Sequence, residues 1–423
     1  MKKIFATMLV VFMAVGSAYA VDMSTTGKYK IRGNYEDNVS SINDSSDRGA
    51  YMYYDHELVL EPTLTISDAT KIDMQLELND AVWTASNQGH DSKEAADNIL
   101  IEYLYGSHTF STGTQFQGGL MAVGEWSHAF GNTKTRGWRT RINQPVGDGT
   151  LVAILQKVVE ATEEGLAAQE GENSESKDAD AYLLGWAGKA GDIDIQPLIA
   201  YIQNGTANTD AGSSDTDNTI LFVLGAGGQA GMLGWEAEFD YSSTTRDGTN
   251  AVTDPDLDDL NVWGAYAGVN FDLGTVTPGL KIAYGSYSED NGSFAYGEDY
   301  DAGGMMIFGE DVGFGPGMAK DDGNVAGATT VTVYADLNVS DALSFFGGLA
   351  YLMSNSSDDG PWKDASAYEL NVKGAYKLSD NVSYHVDCGY ASIDWDYDPS
   401  GDATATDDPD GITKIQHYLQ IKF

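Results

Sequence analysis

Alternation of apolar and polar residues along most of the chain is the feature that most restricts its fold. In the segment 70–83, apolar side chains at 72, 74, 76 and 78 alternate with polar side chains at 73, 75, 77 and 79. The same period recurs in 234–241 and 367–379. Because successive side chains of a strand point to opposite faces, this period indicates strands with one apolar and one polar face. The sequence therefore predicts an all-β protein.

The connections between these segments alternate in length. Eight short turns, such as Ser67–Asp68 and Gly106–Ser107, interleave with nine long polar stretches, such as 161–179 and 289–327. This pattern gives about eighteen strands, with sixteen as the alternative count, and both termini at the short-turn end. A soluble sandwich has no physical reason to sort its loops by length. We therefore predict a closed antiparallel transmembrane β-barrel with short periplasmic turns and long extracellular loops.

The first twenty residues have the composition of a secretory signal. Lys2 and Lys3 precede an apolar run over 4–15, and Ala18 and Ala20 form an A-x-A cleavage pattern. We therefore expect a signal peptide over 1–20 and an outer-membrane β-barrel over 21–423. The sequence has no later run of the roughly eighteen apolar residues that a membrane helix needs.

Charge and motif content exclude several classes of protein. The chain has 64 acidic and 23 basic residues, a formal net charge of −41, which opposes binding to nucleic acid. Cys388 is the single cysteine, and the sequence has no P-loop, zinc-protease or haem motif. A calcium loop at 394–398 is disfavoured because Pro399 stands where glycine is expected. We therefore predict no cofactor and no metal site.

A barrel of this size encloses water rather than a packed core. We predict that charged residues on the polar faces line the pore, with basic residues of the first, sixth and sixteenth strands opposed by acidic residues of the second, third and eleventh. Low-dielectric walls would focus the resulting field, and the acidic bulk charge predicts a cation preference. For any single charged residue, pairing with a neighbouring strand is the alternative interpretation. The predicted pore-lining residues are Lys28, Lys30, Arg32, Asp55, Glu57, Asp73, Glu77, Arg139, Arg141, Glu236, Glu238, Asp240, Lys373 and Lys377.

The last eleven residues, TKIQHYLQIKF, form an amphipathic segment that ends in Phe423. This ending resembles the sorting signal of Gram-negative outer-membrane porins, which the barrel-assembly machinery recognises. The stretch 98–121 also resembles a hairpin and loop of trimeric porins from sulfate-reducing and related bacteria. The resemblance implies a homotrimer in the cell outer membrane, in contact with lipid and lipopolysaccharide, that forms a passive channel for small hydrophilic solutes and ions.

In porins, the loop after the fifth strand commonly folds into the channel. Here that loop is 117–133, and the resemblance implies a constriction formed by Glu125, Trp126 and His128. The long loop over 290–325 is a competing candidate, because its apolar content indicates that it packs on the inner wall or on a neighbouring subunit.

Other functions are compatible with a barrel. Ser383, His385 and Asp387 share one face and supply the residue types of a hydrolytic triad. The strand spacing, roughly 7 Å per two residues, is too long for the chain of direct hydrogen bonds that such a triad requires, so we expect no enzyme. A substrate-selective channel for sugars or organic acids is the main alternative, and a plugged structural or adhesive barrel is another. The sequence leaves the solute, the ion selectivity and the oligomeric state open.

Overall fold

The computed structural model describes thirteen ranges of the chain. All regular elements in these ranges are β-strands. The described residues contain no helix long and apolar enough to cross a membrane. The predicted signal peptide lies outside the described residues. The described ranges are 21–38, 50–83, 99–123, 126–129, 136–159, 179–204, 216–247, 260–288, 292–294, 305–307, 327–355, 365–394 and 411–423.

Eighteen strands form one sheet, and two further strands form a short hairpin. The sheet contains β1 (Asp22–Asp37), β2 (Tyr51–Ser67), β3 (Thr70–Val82), β4 (Ile99–Thr109), β5 (Gln115–Ala122), β6 (Arg136–Val146), β7 (Gly149–Val159), β8 (Ala179–Ala190), β9 (Ile193–Asn204), β10 (Thr216–Ala230), β11 (Leu233–Asp247), β12 (Leu260–Phe271), β13 (Val276–Gly285), β16 (Ala328–Ser340), β17 (Leu343–Ser354), β18 (Ser366–Ser379), β19 (Val382–Asp394) and β20 (Ile412–Lys422). The hairpin pairs β14 (Tyr287–Ser288) with β15 (Gly292–Ser293).

The sheet closes on itself because β1 pairs with both β2 and β20, antiparallel in each case. Beyond the last paired residues, Gly27 N donates to Phe423 O at 2.9 Å and Phe423 N donates to Gly27 O at 3.1 Å. Closure gives every strand two neighbours, which is how a sheet in hydrocarbon satisfies its backbone polar groups. The predicted all-β, closed, eighteen-stranded antiparallel barrel is confirmed.

Connection lengths alternate as the sequence predicts, but one turn was misplaced. The strand bounds leave eight connections of two to five residues and nine longer ones. Gly106 and Ser107, predicted as a turn, lie inside β4, where Gly106 pairs with Gly118 of β5. The turn itself is 110–114, in which Gly113 has φ +83°, a conformation that glycine adopts without a steric penalty.

The two faces of the barrel differ in polarity. The outward face exposes large apolar side chains, such as Leu155 at 57%, Leu349 at 50% and Leu370 at 53%. Charged side chains of opposite parity, such as Asp240 and Glu369, are fully buried on the inward face. An apolar exterior around a polar interior is the inverse of a soluble protein and is typical of a barrel in lipid.

Candidate functional site

The inner surface of β18, β19, β20, β1 and β2, called here the closure wall, carries a network of charged groups. Lys28 Nζ lies 2.7 Å from Glu57 Oε1, and Lys30 Nζ lies 3.6 Å from Glu57 Oε2. Arg32 Nε lies 2.5 Å from Asp55 Oδ1. The sequence prediction opposed these acids to these bases across the barrel, with pairing between neighbouring strands as the alternative. The structure shows the pairing, because β1 and β2 are hydrogen-bonded neighbours. Their charges therefore offset one another locally.

Part of the interior beside the closure wall is a cavity of about 550 Å³. Lys30 and Arg32 of β1, Lys373 of β18, and His385 and Asp387 of β19 line it. Two of its lysines lie over aromatic rings. Lys30 Nζ is 5.8 Å from the centroid of Tyr418, and Lys373 Nζ is 5.6 Å from that of Phe346. The cavity surface thus combines cationic heads with flat apolar faces.

The acids of β11 lie on the opposite side of the barrel, eight strands from β1 in one direction and ten in the other. For these residues the predicted opposition to the basic closure wall agrees with the strand order. Glu238 and Asp240 are buried at 3% and 0% exposure, whereas the Glu236 side chain is 35% exposed. The hydroxyl of Tyr266 donates a short hydrogen bond to Glu236.

The other predicted pore-lining residues are spread around the wall. Thr63 donates to Asp73 at 2.8 Å between β2 and β3, and Glu77 lies further along β3. On β6, Arg139 Nη2 donates to Gln156 Oε1 at 2.6 Å and Arg141 Nε donates to Asn143 Oδ1 at 2.8 Å.

Lys377 lies at the short-turn rim rather than within the wall. Its Nζ lies 2.9 Å from Oδ1 of Asp380 in the exposed β18–β19 turn. Its hydrogen bond to Asp380 lowers the pKa of that carboxyl group.

Residues 126–129, the first inward segment, lie across the inner face of β8 to β12. Trp126 Nε1 donates to Gln196 O of β9 at 3.1 Å. The backbone N–H groups of His128 and Ala129 both donate to Glu238 Oε2, at 2.5 and 2.9 Å. The predicted loop 117–133 began too early, because β5 runs to Ala122. Glu125 lies outside the described residues.

Glycines make room for the first inward segment. A β-carbon at Gly225 would lie 1.8 Å from Ser127 Oγ, and one at Gly185 would lie 2.5 Å from the Trp126 ring. Ser127 itself has φ +68°, an uncommon conformation for a residue other than glycine. Glycines at inward positions of β8 and β10, on either side of β9, were the sequence signal that could have located this contact.

Residues 305–307, the second inward segment, lie on the closure wall and on β17. Glu369 Oε1 accepts the backbone N–H groups of Met306 at 2.7 Å and Ile307 at 2.9 Å. Asn371 Nδ2 also donates to that oxygen, at 3.2 Å. The loop 290–325 therefore packs on the inner wall through this segment, one of its two predicted locations, and Met306 borders the cavity. Sequence analysis assigned no role to Glu369.

Ser383 and His385 form one of the two direct hydrogen bonds that a triad with Asp387 would need. Ser383 Oγ lies 2.8 Å from His385 Nε2. The backbone repeat of about 7 Å allows this contact, because two side chains on one face of a strand can lean towards each other. The His385 ring also stacks on Tyr418, with centroids 4.4 Å apart and planes 5° apart.

Comparisons with known proteins identify the fold. No family profile and no curated sequence matches the chain. Its structure is similar to a BenF-like porin from Pseudomonas fluorescens Pf-5, with TM-score 0.58 and 8% identity over 95% of this chain and 98% of that one. It is also similar to OccK2 (OpdF) of Pseudomonas aeruginosa, with TM-score 0.57, 9% identity and the same coverage.

A third similar structure is OccK8 (OprE) of Pseudomonas aeruginosa, with TM-score 0.53 and 12% identity over 95% of this chain and 98% of that one. At these identities the comparisons establish the fold and nothing narrower. The chain has the fold of Gram-negative outer-membrane porins, which confirms the predicted resemblance. That fold is a transmembrane β-barrel of the cell outer membrane.

Proposed function

We propose that the protein is an outer-membrane porin, a channel for passive diffusion of small hydrophilic solutes and ions. The observation that carries the proposal is the charged cavity inside a closed barrel with an apolar exterior. Charged side chains are costly to remove from water even when they are paired, so walls of this kind favour a water-filled interior. Conductance of the purified barrel in planar bilayers tests the proposal. A barrel that inserts but carries no current would contradict it and favour a plugged structural or adhesive role.

The charged residues predicted from sequence are proposed to line this channel. The first inward segment, with Trp126 and His128 and with the neighbouring Glu125, is proposed to narrow it. Its contacts with β9 and β11 support this role, because they hold the segment against the inner wall. Substitution of Trp126 by alanine is expected to increase single-channel conductance.

We further propose a cation preference. The formal net charge of −41 supports it, as does the offset of Lys28, Lys30 and Arg32 by Asp55 and Glu57. The reversal potential in a KCl gradient should therefore have the sign of cation selectivity. Glu57→Gln should shift that potential towards anions, since it leaves positive charge uncompensated. An anion-selective wild-type channel would contradict the preference and leave the channel function standing.

A substrate-selective channel for organic acids is the second candidate. The lysines over Tyr418 and Phe346 favour it, because a cationic group beside an aromatic face can hold a carboxylate and an apolar group together. Current block by small carboxylates, with neutral sugars of matched size as control, distinguishes this candidate from unselective diffusion. Equal block by both solute classes would argue against it.

We also propose that the barrel is not an enzyme, although Ser383 and His385 are in contact. Ester hydrolysis by the purified protein should be at the buffer rate and unaffected by Ser383→Ala. Activity that this substitution abolishes would establish a hydrolase.

The proposed partners are outer-membrane lipid and lipopolysaccharide, the barrel-assembly machinery, and two further copies of the chain. Outward small residues on β12, Ala265 and Ala267, support close contact between barrels. Phe423, which is 51% exposed beside the barrel closure, is proposed as the assembly signal. Native mass measurement tests the homotrimer, and a chain lacking Phe423 should assemble less efficiently in cells.

A further inference from the structure

Asp240 is a fully buried acid on the inward face of β11. Its side chain is 0% exposed, and neither of its oxygens has a hydrogen-bond partner. Its partners across the strands are Val223 of β10 and Gly264 of β12, which supply no donor side chain. Burying an isolated carboxylate costs several kcal/mol, so proteins neutralise such groups with a proton, a base or a metal ion.

A second acid lies on the same face of β11. Glu238 is 3% exposed, and its Oε2 already accepts the N–H groups of His128 and Ala129. Two neighbouring carboxylates in a water-poor space repel each other, which adds to the cost of ionising both. No basic side chain in the described ranges forms an ion pair with Asp240. The acid pair is therefore neutralised either by a proton or by a bound cation, and the experiment below separates the two.

The first inward segment adds a hydroxyl to this region. Ser127 Oγ is buried, has no hydrogen-bond partner, and lies over Gly225, the strand partner of Glu238. Phe294 covers Gly264, the strand partner of Asp240. The acids are thus enclosed between the wall and residues of two inward loops. Oxygen ligands around concentrated negative charge are what hard cations select.

We propose that a hard divalent cation, with calcium as its representative, binds between Asp240 and Glu238 behind the first inward segment. Ser127 supplies a hydroxyl ligand. The described residues contain no group of three His, Cys, Asp or Glu side chains that could hold a metal, so hydroxyl, backbone carbonyl and water oxygens complete the coordination. The cation fixes the inward segment to β11 by neutralising the acid pair. This inference does not depend on which solutes pass through the barrel.

The full barrel in detergent provides the test, with CaCl₂ or EDTA as the only difference between samples. Calcium should raise the thermal unfolding midpoint of the wild type, because a ligand that binds only the folded state stabilises it. Asp240→Asn, which keeps the shape and removes the charge, should abolish most of that shift and should be at least as stable as the wild type in EDTA. Asp336→Asn, at an acid that lines the cavity beside the closure wall and lies away from β11, is the control and should retain the wild-type shift.

Equal calcium shifts in the wild type and Asp240→Asn would overturn the proposal, since calcium would then act at the other acids of the chain. No shift in either protein would also overturn it and would assign a proton to Asp240. Ser127→Ala provides an independent measurement if Asp240→Asn does not fold. Terbium, a calcium analogue, should show tryptophan-sensitised luminescence, and Ser127→Ala should weaken terbium binding several-fold. Unchanged affinity, or no sensitised signal, counts against the site.

Discussion

The two inward segments are held by the same device in different surroundings. In each, one carboxylate oxygen accepts two consecutive backbone N–H groups: Glu238 binds residues 128 and 129, and Glu369 binds residues 306 and 307. Such bonds depend on the backbone and not on the side chains of the segment. The device therefore explains how two unrelated sequences can both be fixed to a barrel wall.

The surroundings of the two carboxylates decide how well each is compensated. Asn371 gives Glu369 a third donor, and the segment that it holds is apolar. Glu238 has an unpartnered acid, Asp240, two residues away on the same face. Hydrogen bonds to a buried carboxylate stabilise it, and a like charge nearby opposes that stabilisation. We call each carboxylate with its two backbone N–H donors a clamp: Glu238 with residues 128 and 129, and Glu369 with residues 306 and 307. Without a bound cation, the Glu369 clamp should be the stronger of the two.

The largest effect is expected where a glycine leaves room for an inward segment. In Gly225→Ala the new β-carbon would lie 1.8 Å from Ser127 Oγ, so the first inward segment must move. Gly389→Ala is milder, because the nearest atom, at 3.2 Å, is the flexible tip of Ile307. Single-channel conductance should therefore rise clearly in Gly225→Ala and change little in Gly389→Ala.

The control for this pair is Gly347→Ala, where the added β-carbon meets nothing within 4 Å. Its conductance and stability should match those of the wild type. Equal conductance in all three variants would show that the first inward segment does not limit the current.

A smaller effect should separate the two carboxylates. Glu369→Gln and Glu238→Gln each replace an ionised acceptor by a neutral one, at a cost of about 1–3 kcal/mol for a buried group. Glu369→Gln should lie at the upper end of this range. Glu238→Gln should lie at the lower end in EDTA, because the substitution also removes repulsion from Asp240.

Urea unfolding of the two variants in EDTA measures this difference. A larger loss of stability in Glu238→Gln than in Glu369→Gln would contradict the idea that Asp240 weakens the first clamp. Adding Asp240→Asn to each variant gives a double-mutant cycle, and only the Glu238 pair should show coupling.

The barrel could be predicted from sequence because each residue of a strand faces either lipid or water, and the residue type shows which. A lipid exterior and a wet interior impose a period of two on every strand, and the loop lengths fix the strand count. The exact end of a strand depends on small differences between the stabilities of neighbouring turn positions. The turn expected at Gly106 therefore lies several residues later, at 110–114. A long loop connects β1 to β2, and a long loop does not fix which residues of the two strands face each other. The pairing of Arg32 with Asp55 therefore could not be read from the sequence.

The inward segments were only partly predictable. The apolar content of the loop around Met306 indicated packing on a wall, and the structure shows the packing. Glu238 was predicted as a pore-lining charge, yet its described contacts are with backbone amides, and Glu369 was missed. The sequence does not distinguish an acid that binds the backbone of an inward segment from an acid that faces water in the pore, because both occupy inward positions of an amphipathic strand. Only the position of a loop distant in sequence separates the two.

The smallest effect is expected at the part of the second inward segment that borders the cavity. Met306→Ala shortens an uncharged side chain beside Arg32 and Lys373, so it should raise conductance modestly and leave the reversal potential unchanged. Lys373→Ala, on the same cavity surface, removes a charge and should shift the reversal potential towards cations with a smaller change in conductance. A reversal potential that moves in Met306→Ala would mean that the segment itself shifts, and the second clamp would then be the weaker one, opposite to the order argued from Asn371.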